Sequence, residues 1–271
     1  MKGRLMAVGV AATALGGTGA VVVNAQEPAP TVAVTVTPSK MTVSGAEELR
    51  PGPVRLAVES PGRRARDFTV FELKRGVSVD DVEERLRTLR SADAAERYGR
   101  LVAGGGVARG ASYTTTFEVE AGTYLLLDTT QQPAVRAQFT VGGEQGTAVA
   151  PEPDRTVGLR EYRFEMGATL PSRGVVRFAN RGDELHFALA LRLKRGTSTR
   201  SVVRQLRQGR EDIAGLDQGT QGLGLVSGDT VNDVEVRFQP GSYVLVCLYG
   251  DRESQNRPHS TLGMARGFQV R

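Results

Sequence analysis

The chain has one cysteine, two histidines and no tryptophan among its 271 residues. Each scarcity rules something out. A lone Cys247 leaves no partner for an internal disulfide. His186 and His259 are too few to hold a second or a trinuclear metal centre beside a first. Aromatic residues make up only 6% against 33 glycines, a composition that suits short strands joined by many turns rather than helical bundles. A stripe of one charge sign is also missing. The 35 basic and 30 acidic residues are interleaved, and the basic ones do not gather with aromatics, so nucleic acid is not an expected partner.

Met1 to Ala25 reads as an export signal. Lys2 and Arg4 supply the positive start, Leu5 to Val23 is an apolar run diluted by glycine and threonine, and Val23-Asn24-Ala25 offers small residues for cleavage before Gln26. An uncleaved anchor is the competing reading, since that run could nearly span a bilayer, but the interrupting glycines and the cleavage-like end favour the signal. The expected location is secreted, periplasmic or extracellular, with no membrane span once the signal is removed. The mature chain would carry 33 basic and 30 acidic residues, a net charge of +3.

An unpaired thiol in an oxidising compartment needs protection, either by burial as a small hydrophobe or by a metal. A cysteine nucleophile with His186 or His259 as base is the third option. No local hydrolase signature surrounds Cys247, which sits in a strand pattern rather than at a helix start.

Read in order, the chain shows one pattern twice. Val32 to Val36, Val54 to Val58 and Phe68 to Leu73 predict strands. At Leu73-Lys74-Arg75-Gly76 the period changes to helix, with Ser78 and Asp81 in capping-box spacing and Val82, Leu86 and Leu89 at helical intervals. Strand signals return at Tyr113 to Glu120, Gly122 to Leu127 and Ala137 to Val141. The second half repeats this order: FALALRLKRG (Phe187 to Gly196) matches DFTVFELKRG (Asp67 to Gly76), a helix with Val202, Val203 and Leu206 follows, and Val234 to Phe238 and Gly241 to Val246 match the first half's hairpin.

The segment from Gly142 to Arg155 has linker composition. The expected division is a signal at 1–25, a first domain at 30–142, a linker at 143–155 and a second domain at 156–271. Laid over one another, the copies place His186 on Arg66, Cys247 on Asp128 and Met264 near Val135. The glycine runs Gly104-Gly105-Gly106 and Gly222-Leu223-Gly224 lack the helix and lysine of a phosphate cradle and read as loops. Glu47-Glu48 and Asp80-Asp81 fit turns and helix starts.

Cys247, His259 and Met264 lie close in sequence: a thiolate, an imidazole and a thioether at the end of a β-hairpin, which are soft and borderline donors that select copper. His186 supplies a second imidazole. All four fall in the second copy.

The pattern PG-x-Y-x-x-x-C (Pro240 to Cys247), a loop, then H-x-x-x-GM-x-x-x-F-x-V (His259 to Val270) resembles the copper-binding end of cupredoxins such as plastocyanin and pseudoazurin. VVRFANRGDELHFAL, with Asn180 six positions before His186, resembles the strand and turn bringing that family's first histidine ligand. Here eleven residues separate Cys247 from His259, a longer loop than in the small blue copper proteins. Phe187 offers no side-chain hydrogen bond across to the cysteine loop.

The resemblance implies an all-β protein of two tandem cupredoxin-like Greek-key β-sandwiches, each with a short inserted helix, the first free of metal ligands. It further implies one mononuclear copper held by His186, Cys247 and His259 with Met264 as a weak axial ligand, a set used for one-electron transfer rather than enzymatic turnover. The expected partner is a redox or copper-exchange protein. A metal-free exported binding or envelope module that keeps the fold is the alternative.

Overall fold

A computed structural model describes residues 27–271 except 63, 87–95, 129, 131–134, 211, 252 and 255; the export signal and Leu89 lie outside the described residues. The fold is two β-sandwiches that share one of their sheets. Strands β1 (Thr31–Val36), β2 (Met41–Ser44), β3 (Gly52–Glu59) and β6 (Ser112–Val119) run on without a break into β15 (Val231–Arg237), β12 (Arg173–Asn180), β9 (Arg155–Arg160) and β10 (Arg163–Glu165). Together they form one eight-stranded sheet in the order β10-β9-β12-β15-β6-β3-β1-β2. The seam is the antiparallel pair β6–β15, with Asn232 opposite Phe117 and Val234 opposite Thr115.

Two separate sheets pack against this one. The first half contributes β5 (Gly99–Val107), β4 (Arg66–Leu73), β7 (Gly122–Asp128) and β8 (Val135–Val141). The second contributes β11 (Thr169–Leu170), β17 (Ala265–Val270), β16 (Gly241–Val246), β13 (His186–Leu193) and β14 (Leu216–Val226). Alternation drives the packing. Val32, Val34 and Val36 of β1 point inward and join Phe68, Val70, Tyr124 and Leu126 in one buried cluster.

The runs Leu125-Leu126-Leu127 and Val244-Leu245-Val246 do not alternate because their strands are covered on both faces. Outside β4 and β7, Val82 of α1 (Val79–Leu86) packs with Phe71, Leu73, Leu125 and Leu127. Outside β13 and β16, Val202 and Leu206 of α2 (Thr199–Arg207) pack with Leu191, Leu193, Val244 and Val246. Each inserted helix thus covers the open face of its sheet. The capping box forms as its spacing predicts: the Asp81 N–H donates to Ser78 Oγ at 3.1 Å, and the Ser78 N–H donates back to the Asp81 carboxylate at 3.1 Å.

The two glycine runs are strands, not loops. They lie in β5 and β14, which pack backbone against backbone between the halves. A Cβ at Gly222 would sit 2.8 Å from the Gly106 nitrogen, and one at Gly105 would strike the Tyr113 ring at 2.8 Å. Glycine is there to admit close approach, not to turn the chain.

Candidate metal centre

Strand pairing brings the side chains of His186, Cys247 and His259 together at one end of the second sandwich, with the backbone of Met264 beside Cys247. His186 opens β13 and Cys247 follows the last residue of β16. These strands pair antiparallel with Leu189 opposite Val246, which leaves His186 and Cys247 just past the ladder's end. Beyond Cys247 the chain makes an ordered loop. Gly250 bridges Pro258, the His259 N–H donates to the Tyr249 carbonyl at 2.7 Å and the Ser260 N–H to the Cys247 carbonyl at 2.8 Å. A single helical turn, α3 (His259–Leu262), then leads into β17. The Met264 N–H donates to the His259 carbonyl at 2.9 Å, and the Cys247 N–H donates to the Met264 carbonyl at 3.1 Å.

One ring nitrogen each of His186 and His259 and the sulfur of Cys247 lie within 4.8 Å of one another. Nδ1 of His186 is 3.1 Å from Nδ1 of His259, which is 3.5 Å from Cys247 Sγ. All three residues and Met264 are fully buried. The donor set fits a single soft ion. With bonds of about 2.0 Å to nitrogen and about 2.3 Å to sulfur, two ligand nitrogens can be at most about 4 Å apart and a nitrogen–sulfur pair little more. The observed nitrogen–nitrogen and nitrogen–sulfur contacts fall inside those limits.

The tie that the Phe187 side chain does not offer is supplied by its main chain. The Phe187 N–H donates to Cys247 Sγ at 3.3 Å, a bond for which any side chain would serve. Asn180 is fully occupied. Its Nδ2 donates to the carbonyls of Glu184 (2.7 Å) and Val226 (3.1 Å), and its Oδ1 accepts from the Gly182 N–H (3.0 Å), which fixes the turn before His186.

Burial sets the protonation of the metal-free pocket. It pushes the Cys247 thiol up to about 11, against the opposing N–H donors of Phe187 and Tyr249. A buried, protonated thiol is a poor nucleophile, which weakens the hydrolase reading. A bound cation would reverse this balance by favouring the thiolate. Burial, and then the neighbouring His259, hold His186 down at about 4.

In the metal-free protein the unfolded chain therefore takes up the His186 proton first. Stability falls as pH drops from about 6.5 toward about 4 and this contribution levels off below that. At about 1.4 kcal/mol per pH unit the loss reaches about 3 kcal/mol. Urea unfolding across that range should show the slope, and His186→Gln should flatten it.

The first half shows what stands at the same places in the other sandwich. In β4 and β7, Thr69 lies opposite Leu127 as Leu189 lies opposite Val246, so Arg66 and Asp128 occupy the register positions of His186 and Cys247. They form a buried ion pair, Arg66 to Asp128 at 3.3 Å. Val135 lies opposite Asp128, as Met264 lies beside Cys247.

Three residues of the site's surround were not singled out from the sequence: Glu184, Asp251 and Tyr162. Nε2 of His259 lies 2.8 Å from Oε2 of Glu184. Oxygens of Glu184 and Asp251 and a ring nitrogen of His259 lie within 4.8 Å of one another. Asp251 accepts from the Tyr162 hydroxyl and the Ser254 N–H, and the Tyr162 ring meets His259 edge-on at 5.4 Å. Glu184 stands two positions before His186 and Asp251 four after Cys247, which is the signal the sequence offered.

The fold is all-β, two sandwiches with one sheet in common. No protein-family model matches the chain, and no curated protein matches it. Among solved structures, it is similar to the reduced auracyanin of Roseiflexus castenholzii (14% identity over 43% of this chain and 94% of that one, TM-score 0.27). It is also similar to auracyanin A, a blue copper protein of Chloroflexus aurantiacus (14%, 43% and 99%, TM-score 0.26). A longer match is the copper nitrite reductase of Nitrosomonas europaea (11%, 89% and 93%, TM-score 0.24). The fold stands on the strand pairing above. Among the described residues, no helix is long and apolar enough to cross a membrane.

Proposed function

We propose that this is an exported copper protein whose second half, 156–271, holds one mononuclear copper through Cys247, His186 and His259, with Met264 as a weak axial ligand. The observation that carries the reading is the convergence of three scarce donor atoms in a buried pocket, at positions where the first half, 30–142, has an arginine–aspartate pair instead. Copper bound there supplies one-electron chemistry. The chain's own part is to exclude water, to hold the sulfur with the Phe187 N–H and to fix both rings in place.

The function is electron transfer or copper carriage, with a redox or copper-exchange protein as partner. With two histidines in all, no imidazole is left for a second centre, so the proposal is of a carrier and not an enzyme. Export follows from the signal read at 1–25.

The metal-free module is the second reading because the same three groups lie within hydrogen-bonding distance of one another, 3.1 Å between the two Nδ1 atoms and 3.5 Å from His259 Nδ1 to Cys247 Sγ. Loading the purified mature protein with Cu(II) separates the two. An intense visible thiolate-to-copper band, with copper retained through desalting, is the expected result. A colourless protein that loses its copper on the column would reject the site.

A further inference from the structure

Glu184 is built into place from three sides. The Asn180 amide holds its carbonyl at 2.7 Å, and the Glu161 carboxylate accepts from the N–H groups of Asp183 at 2.6 Å and of Glu184 at 3.4 Å. Behind it, Leu185 is fully buried in the cluster that holds Phe71 and Leu125 of the first half. The side chain is only 14% exposed and places Oε2 2.8 Å from His259 Nε2.

A carboxylate oxygen at that distance is repelled by a bare nitrogen and attracted by an N–H. The proton of a neutral His259 therefore belongs on Nε2, which leaves Nδ1 bare. The other side of the ring agrees. Nδ1 of His259 faces two possible donors, Nδ1–H of His186 at 3.1 Å and the Cys247 thiol at 3.5 Å, and a bare nitrogen can accept from both. His186 with its proton on Nδ1 keeps only a lone pair at its buried Nε2; neither that atom nor Nε2 of His259 makes an in-line hydrogen bond, so Glu184 acts on His259 through its charge at 2.8 Å.

We propose that Glu184 is a positioning residue for His259, holding it in the Nε2–H tautomer so that the Nδ1 lone pair faces Cys247 and His186. The purpose of this arrangement rests on the copper reading; its test does not. The imidazole nitrogen NMR shifts of the full-length mature, metal-free protein at neutral pH report the tautomer directly. The wild type should show His259 with a protonated Nε2 and a bare Nδ1. Glu184→Gln, which keeps an acceptor oxygen, should preserve that state. Glu184→Met should give a mixture of tautomers in a protein whose circular dichroism is unchanged.

A wild-type His259 protonated at Nδ1 overturns the proposal without any variant being needed, and so does a Glu184→Met protein that keeps the pure Nε2–H form. With Cu(II) as probe, Glu184→Met should weaken binding by about tenfold or more, and Glu184→Gln by less. A wild type that takes up no Cu(II) but shows the Nε2–H form, lost in Glu184→Met, upholds the proposal and sinks the copper reading alone.

Discussion

Cys247→Ser protein mixed with Cu(II) stays colourless, and its melting temperature no longer responds to the metal. The thiolate is the only sulfur anion the chain can offer, so the charge-transfer band disappears with it. The two imidazoles and the Met264 thioether that remain are neutral donors. In the wild type, a ligand that binds the native state alone stabilises by about 4 kcal/mol when present at about a thousand times its dissociation constant. Visible spectra and thermal melts of both proteins, with and without Cu(II), read the two effects together. Because the sulfur is fully buried and accepts the Phe187 N–H, the smaller hydroxyl also leaves a slightly underfilled site, so the melt without copper is the required baseline. Equal copper-induced shifts in wild type and variant would show the ion to be bound elsewhere.

The second large effect belongs to the first half. Asp128→Ala should lower stability by about 3 kcal/mol, because it removes the buried carboxylate 3.3 Å from the Arg66 guanidinium. Asp128 Oδ1 also accepts the Thr130 N–H at 2.9 Å, so the variant opens that turn as well. The double variant Arg66→Met/Asp128→Leu removes both charges and should recover most of the loss, since well-packed apolar residues often replace a buried pair at little expense. Denaturant unfolding of the three proteins checks this. A single variant as stable as wild type would mean that water reaches Arg66.

The candidate donors stand out in the sequence because they are rare: a single cysteine, two histidines and a methionine in glycine-framed spacing can be placed by comparing one half with the other. The strand register then puts Arg66 and Asp128 where that comparison put them. The capping box at Ser78 was legible because it is local. Glu184 and Asp251 were hidden by abundance, two acids among 30. Tyr162 was hidden by distance, reaching Asp251 across 89 positions. The glycine strands misled for a different reason. Composition reports that glycine is present, while the cause lies in a facing strand more than a hundred residues away, as between Gly106 and Gly222. The seam between β6 and β15 leaves no local trace either, since each strand has an ordinary pattern and only assembly makes them neighbours.

The sheet that runs through both sandwiches makes the ligand-bearing part a poor candidate for life on its own. Cut away from its companion, it would present the bare hydrogen-bonding edge of β15 to other chains, and Leu185, next door to His186, would lose its wall. The first half is thus the masonry behind the hearth: it supplies the apolar wall for Leu185, which stands between Glu184 and His186.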